Sequence, residues 1–234
     1  MNELKLYEVS EKYISYISTV EKNVFSSKEN DRNHTWKYLG TVYSMNGYNY
    51  YIPLSSPKNS DYRLENGVQK IRGIIIPIIR ITSQSSSGEL ELKRTLKLSN
   101  MIPVPASELT LYDMEHEQDL FYKTLIHKEM LFIRKNKNKI IQNAKILYKQ
   151  KKENYPAIGY LKSTVDFTLL EQMHDKFIEK KGEKATHWRK FVIILLQRFI
   201  PQIPPDSPSQ KKQCHTYEPP HNHYHKALLY TSYP

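Results

Sequence analysis

The stretch Y-L-G-T-V-Y-S-M-N-G-Y-N-Y-Y-I-P-L-S-S-P-K, from Tyr38 to Lys58, decides the fold of this chain. It consists of two runs of β-prone residues joined by Asn46-Gly47. Asn-Gly between such runs is the strongest short-range signal for a β-hairpin, because both residues tolerate the positive φ angles of a tight turn. We therefore predict a hairpin with strands over residues 38–45 and 48–54.

The end of this hairpin brings hydroxyl and ammonium groups close together in the sequence. Pro53 and Pro57 remove amide donors, so we expect the chain to leave the ladder there and to expose Ser55, Ser56 and Lys58 on a constrained loop. In metal-independent RNA cleavage, hydroxyl groups can orient the attacking 2′-hydroxyl and a lysine can balance the growing charge. Since S-S-P-K is also an ordinary turn, the spacing alone leaves a purely structural loop open.

The segments around the hairpin predict a fold of the α+β class. Residues 4–9 are typical of a strand, and Ser10 is a plausible N-cap of a helix that reaches Val20. The run G-I-I-I-P-I-I-R-I at residues 73–81 predicts a buried core strand with a bulge or edge position at Pro77. Residues 89–98 are predicted to form another strand.

Helical periodicity dominates the second half of the chain. Apolar spacings of three and four over residues 114–152 predict one long helix, or two with a break near 136–138, and residues 166–177 predict a last amphipathic helix. Five cations on the first part of this pattern are candidates for RNA contact: Lys123, His127 and Arg134 on one face, with Lys128 and Lys135 beside them. A charge row on a helix is ordinarily a solvated face, so that interpretation also stays open.

Composition favours a polyanionic partner. The 234 residues hold 35 Lys and Arg against 24 Asp and Glu, a formal net charge of +11, which indicates nucleic acid first and an anionic membrane second. The 18 tyrosines can stack on single-stranded bases. No apolar run approaches the roughly 18 residues of a membrane helix and no secretory signal is evident, so we expect a cytoplasmic protein without membrane association.

Missing motifs exclude several enzyme classes. The sequence has no G-x-x-x-x-G-K phosphate loop, no G-x-G-x-x-G, no H-E-x-x-H and no C-x-x-C, and its single cysteine excludes an internal disulfide. Residues 181–234 hold seven of the 13 prolines and five of the nine histidines, so we predict a domain over 1–180 and a low-complexity Pro/His-rich extension over 181–234. The His-rich tract at 221–225 is only a compositional hint, and neither a metal nor a cofactor is predicted.

Three blocks of the chain resemble the ToxN/AbiQ family of type III toxin-antitoxin endoribonucleases. The first is K-L-Y-E-V-S-E-K-Y-I-S-Y-I at residues 5–17, and the second is the hairpin with its P-L-S-S-P-K loop at 38–58. The third is Y-K-T-L-I-H-K-E-M-L-F-I-R-K-N at 122–136, followed by F-T-L-L-E at 167–171. Together they span about residues 4–178, and the Pro/His-rich remainder does not resemble the end of this family.

The resemblance implies a small, strongly twisted antiparallel β-barrel of the Kid/MazF type, elaborated by helices. It also implies metal-independent RNA cleavage that leaves a 2′,3′-cyclic phosphate, with cellular or phage mRNA as substrate. A structured, repeat-derived antitoxin RNA is expected to inhibit the protein in a closed toxin–RNA assembly. Such closure requires each RNA unit to bridge two protein molecules, so two basic surfaces are expected, and the stretch 135–152 is a candidate for the second.

The resemblance also assigns candidate residues. Ser56 matches the essential serine, Lys58 a nearby lysine, and Ser55 a position taken by Thr or Ser, while Lys37 lies close to a lysine upstream of the hairpin. His127 stands where relatives have Tyr, so it is a proton donor to the leaving group, an RNA contact, or simply a residue of the helix surface.

The RNA-binding candidates are Tyr122, Lys123, Lys128, Arg134 and Lys135. A non-catalytic RNA-binding module that uses the same cations and aromatic rings is the main alternative, and it would not require Ser56. A membrane-surface protein anchored by residues 191–200 is a weaker one, since that stretch is short and ends at Pro201.

Overall fold

The computed structural model describes residues 4–25 and 37–199, without the side chains of 41–43, 45 and 184–199. The strands in these ranges are β1 Lys5–Val9, β2 Lys37–Met45, β3 Tyr48–Ser55, β4 Tyr62–Glu65, β5 Val68–Ile71, β6 Ile78–Gln84, β7 Leu90–Lys97, β8 Ile102–Pro103 and β9 Leu109–Leu111. The helices are α1 Glu11–Ser18, α2 Leu120–Lys135, α3 Lys137–Lys152 and α4 Phe167–Phe199. The predicted α+β class is confirmed.

The hairpin of β2 and β3 forms as predicted. Tyr38 pairs with Pro53 near one end and Met45 with Tyr48 at the other, around Asn46 and Gly47 with φ angles of 50° and 86°. Both angles are positive, as the two-residue turn requires. The hairpin lies at the centre of the main sheet, since β2 pairs with β1 and β3 pairs with β7.

All ladders of the main sheet are antiparallel, in the order β6-β7-β3-β2-β1-β9, with β8 pairing with β3 off this path. Among the described strands no ladder joins β6 to β9, so the hydrogen-bonded path is open. Closure into the expected barrel is therefore not observed, although the antiparallel strands and added helices are.

The hydrophobic core combines side chains of the main sheet with side chains of the helices. Leu54 of β3, Leu96 of β7 and Ile79 of β6 are cross-strand neighbours, and all three are fully buried. Burying an aliphatic side chain of this size stabilises the fold by about 1.5–3 kcal/mol. Helix α1, whose N-cap Ser10 accepts a hydrogen bond from the Tyr13 amide, adds Tyr13 and Ile17 to this core.

Two predicted elements differ from the structure. The core strand begins at Ile78, after Pro77, because proline cannot donate to a ladder; Ile74–Ile76 precede it outside any strand. Helix α2 begins at Leu120, where Asp119 caps it by accepting from the amides of Phe121 and Tyr122 at 2.9 and 3.0 Å. The predicted break near 136–138 is confirmed at Asn136.

Helix α4 continues to Phe199, past the predicted domain boundary at 180. Contacts divide the chain into residues 1–188 and 189–234, and within the second unit the structure describes only the helical backbone to Phe199. The predicted Pro/His-rich extension beyond that point, including the tract at 221–225, lies outside the described residues, and so does the proposed anchor's Pro201. In the described part, no helix has the length and apolar character needed to cross a membrane.

Candidate active site

The adjacent residues Ser55 and Ser56, at the end of β3, have different environments. Ser55 ends the strand, is 1% exposed, and its Oγ lies 2.6 Å from Thr95 Oγ1 on β7. Ser56 is exposed at the point where the chain leaves β3, whose last six residues are all buried. Ser56 is therefore free to contact a ligand, whereas the predicted exposure of Ser55 is wrong.

Lys58 is exposed close to Ser56, and its backbone is held by a buried carboxylate. Its amide donates to Asp61 Oδ2 at 3.0 Å, and the Asp61 amide donates back to the Lys58 carbonyl at 2.8 Å. Arg80 of β6 donates from Nε to Asp61 Oδ1 at 3.1 Å. The loop that carries Ser56 and Lys58 is thus fixed by its backbone, while both side chains stay accessible.

Lys97, at the end of β7, adds a cation to this region. Burial lowers its pKa, the charges of Arg80 and Lys58 lower it further, and Asp61 opposes the shift. Arg80 shares a cross-strand row with Thr95 and Ser55, which places these groups on the same face of the sheet. Neither Asp61, Arg80 nor Lys97 was among the sequence candidates.

Lys37 occupies a different setting from the one expected for a catalytic lysine. It is 3% exposed, forms an ion pair with Glu8 on the neighbouring strand, and its Nζ lies 4.3 Å above the centre of the Tyr112 ring. These contacts couple β1, β2 and the segment after β9. The structure therefore gives Lys37 a packing environment in the sheet, away from solvent.

Helix α2 presents its cations on two adjoining faces. Lys123 donates to the Glu115 carbonyl at 2.7 Å, and Arg134 lines a surface cavity of about 460 Å³ with Lys5. Lys128 and Lys135 line a second cavity, of about 570 Å³, beside the end of β6. His127 is exposed on the Lys123 side.

The other candidate on α2, Tyr122, is buried. Its ring packs edge-on against Tyr112, with centroids 6.4 Å apart, and the Arg94 guanidinium lies 5.4 Å from its centre. Tyr122 is thus part of the core, not an open platform for base stacking.

A buried acid lies next to Tyr122. Glu129 of α2 is fully buried, and Arg94 Nε of β7 lies 2.9 Å from its Oε1. Burial raises the pKa of Glu129 to about 7, against the opposing effect of Arg94. This pair joins α2 to β7 of the sheet. In the described part of the chain, no group of three or more His, Cys, Asp or Glu side chains could hold a metal ion.

The structure therefore keeps some sequence candidates accessible and buries others. Ser56, Lys58, His127, Arg134 and Lys135 are exposed, and Lys123 and Lys128 are half-buried. Ser55, Lys37 and Tyr122 are enclosed by protein. The most important charged residue that the sequence did not predict for the site is Arg80. Its position inside the apolar run at 73–81 is the feature that could have indicated it.

The chain is similar in sequence to known toxins. The family model described as "Toxin ToxN, type III toxin-antitoxin system" matches residues 5–175. The endoribonuclease ToxN of Pectobacterium atrosepticum is 28% identical over 185 residues, covering 74% of this chain and 94% of that relative. The endoribonuclease AbiQ of Lactococcus lactis subsp. lactis is 28% identical over 171 residues, covering 72% of this chain and 86% of the relative.

Solved structures share the fold. A chain from work on selective toxin inhibition by a non-coding RNA pseudoknot in type III systems gives a TM-score of 0.62 at 23% identity, covering 76% of this chain and 99% of its own. A chain from work on a bacterial antiviral system regulated by a processed non-coding RNA gives 0.59 at 25% identity, covering 73% and 97%. Both likenesses concern the fold.

Proposed function

The chain belongs to the ToxN family of type III toxin-antitoxin toxins, which are endoribonucleases, and from this membership we propose that it cleaves RNA at the loop of Ser56 and Lys58. The observation that carries this assignment is the exposure of both side chains on one short loop whose backbone is held by Asp61. Preorganised groups aimed at developing charge contribute about 10²–10³ in rate each.

The reaction is a transesterification within the RNA. The 2′-hydroxyl next to the scissile phosphate passes its proton to water as its oxygen attacks phosphorus, the bond to the 5′-oxygen breaks, and that oxygen takes up a proton from water. The products are a 2′,3′-cyclic phosphate and a 5′-hydroxyl. The Ser56 hydroxyl donates to a non-bridging oxygen as charge develops, and the Lys58 ammonium balances that charge, with Lys97 adding positive potential.

We assign His127 to RNA contact and not to proton transfer. Its ring is exposed, and no hydrogen bond from another described residue orients it. A proton donor to the leaving oxygen must lie within hydrogen-bond reach of it, or act through one water. A phosphate contact requires only that the imidazole be accessible, and His127 on the surface of α2 is exposed.

The cationic faces of α2 are the proposed RNA surface. Arg134 and Lys135 are exposed there and Lys128 is half-buried, while the only acidic residue of the helix, Glu129, is buried. Phosphate contacts release counterions, so binding should weaken steeply with salt. The antitoxin RNA would occupy the same surface as the substrate and inhibit by exclusion.

A closed toxin–RNA assembly needs a second surface on each protein molecule. Helix α3 offers exposed cations for it, namely Lys139, Lys145 and Lys149. We propose that one RNA unit contacts α2 of one protein and α3 of the next. Cellular or phage mRNA would be the substrate, in the cytoplasm.

Analysis of product ends tests this function directly. Purified protein incubated with mixed-sequence RNA should give fragments whose 3′ ends resist a phosphatase until acid opens the cyclic phosphate, and the activity should survive EDTA. Fragments with 3′-hydroxyl ends would contradict the transesterification. RNA binding without any fragments would favour the non-catalytic module instead.

A further inference from the structure

The hairpin of β4 and β5 stands apart from the main sheet and follows directly on the candidate catalytic loop. Its four cross-strand pairs run from Tyr62↔Ile71 to Glu65↔Val68, and in the described structure no ladder joins it to the seven-stranded sheet. Leu64 is 76% exposed and Val68 59% exposed, on opposite faces. An isolated two-stranded hairpin is at best marginally stable in water, so its orientation must be fixed from its base.

Hydrogen bonds at that base tie the hairpin to the catalytic loop. Arg80 Nη1 donates to the Gly73 carbonyl just after β5, at 2.6 Å, and Arg80 Nε donates to Asp61 just before β4, at 3.1 Å. The Arg72 amide donates to the Asp61 carbonyl at 2.9 Å. Because the Asp61 carboxylate also accepts from the Lys58 amide, one buried residue positions both the hairpin and the loop.

The hairpin has one charged and one uncharged face. Arg63 and Lys70 are cross-strand partners whose side chains are 52% and 55% exposed. Both are paired with the Glu65 carboxylate, at 2.7 Å from Arg63 and 3.0 Å from Lys70, so two cations share one acid. The other face carries the uncharged Tyr62, Leu64, Gln69 and Ile71.

Resting on the proposed function, we propose that the β4–β5 hairpin is a second RNA-contacting arm, in which Arg63 and Lys70 bind phosphates of the strand that reaches Ser56. Four extended residues span about 13 Å, so the arm reaches beyond the loop itself. Because hydrogen bonds fix the base of the hairpin, Arg63 and Lys70 are held in a constant position relative to the scissile phosphate. The arm therefore adds binding energy beside the cleaved bond.

The chemistry of the two faces fits RNA and not a protein partner. Single-stranded RNA binds where cations meet the phosphates and flat or apolar side chains meet the bases, and the hairpin offers both within one narrow ribbon. The centre of a protein interface is a contiguous apolar patch depleted of charge. Here the exposed apolar residues Leu64 and Val68 lie on opposite faces, and Val68 is beside the cations.

Substitutions that lower or raise the positive charge of this hairpin test whether it binds RNA. The probe is a labelled mixed-sequence 2′-O-methyl RNA, which lacks the attacking hydroxyl, with Kd measured against salt. Arg63→Gln/Lys70→Gln should weaken binding about tenfold and flatten the slope of log Kd with log salt by about 1 to 1.5. Glu65→Gln frees both cations and should tighten binding about threefold, with a slope steeper by about 0.7.

A matched control removes two exposed lysines that belong neither to the hairpin nor to α2 or α3. Lys162→Gln/Lys176→Gln lowers the net charge equally and should change Kd less than about twofold. Equal Kd for wild type and all hairpin variants, or weaker binding by Glu65→Gln, would overturn the arm. The probe cannot be cleaved, so this outcome is independent of whether Ser56 is catalytic.

Discussion

Arg80 and Asp61 form an ion pair inside the protein, with Arg80 Nη2 3.1 Å from Asp61 Oδ1 and the two side chains 4% and 1% exposed. The pair satisfies the Lys58 amide and the Gly73 carbonyl as well, so it joins the candidate catalytic loop to strand β6. Removing one partner of such a pair leaves an uncompensated buried charge, which is far more costly than losing a surface pair.

Asp61→Asn should lower the free energy of unfolding by about 3–5 kcal/mol, because Arg80 keeps its charge in the interior. Urea denaturation measures this loss. Glu153→Gln, which removes an exposed pair with Lys149 at 3.9 Å, is the matched control and should cost less than about 1 kcal/mol. Equal losses in the two variants would show that the buried pair has no special role.

Stability should depend on pH through Glu129. Its folded-state pKa of about 7 lies above its ordinary value, so the folded protein binds the extra proton between about pH 4.5 and 7. This contribution is complete below that window and is lost as pH rises through 7, at up to about 1.4 kcal/mol per pH unit. Unfolding free energies at about pH 5.5 and 8 measure the loss.

Glu129→Gln should reduce the difference between those two pH values, since the amide does not titrate. The exposed carboxyl Glu179 on α4 provides the control, because Glu179→Gln should leave the difference as in wild type. If Glu129→Gln keeps the full wild-type difference, another group is responsible for it.

Ser55 should prove structural, despite its place next to Ser56. Ser55→Ala leaves the Thr95 hydroxyl buried without its partner and should cost about 1–3 kcal/mol of stability, as should Thr95→Val. The double variant should cost less than the sum of the two. Cleavage by folded Ser55→Ala should match wild type, and a loss of the single-turnover rate would instead place Ser55 in the chemistry.

His127→Gln distinguishes the two roles of this residue. As an RNA contact it should raise the RNA concentration needed for half-maximal cleavage severalfold and leave the single-turnover rate at saturating protein unchanged. If His127 were a proton donor, its loss would instead lower that rate about 10²–10⁴-fold. Only the first result agrees with our assignment.

The central hairpin and α1 could be predicted because their signals are local. Asn46-Gly47 sets its own turn, and Ser10 caps α1 through a contact three residues away. Whether a side chain is buried against a neighbouring strand depends on residues that are distant in the sequence. The inward position of Ser55 depends on Thr95, forty residues later, and Lys37 is enclosed by Glu8 and Tyr112. Spacing alone cannot reveal such partners.

The sequence holds two further local signals of structure. Asn66-Gly67 is a second Asn-Gly turn, with φ angles of 51° and 78°, and it forms the β4–β5 hairpin. Arg80 interrupts an apolar strand, and since arginine is rarely buried without a partner, its position indicates a buried acid. Asp61 is that acid, but which carboxylate it would be follows only from the tertiary fold.

The most direct test of the account is RNA cleavage and RNA binding by Ser56→Ala, measured on the same preparation. Because the Ser56 side chain is exposed, the variant should fold and bind the 2′-O-methyl probe as wild type does, while cleavage of unmodified RNA falls by at least about 10²-fold. Cleavage at the wild-type rate by a folded Ser56→Ala protein would contradict the assignment of this loop as the active site.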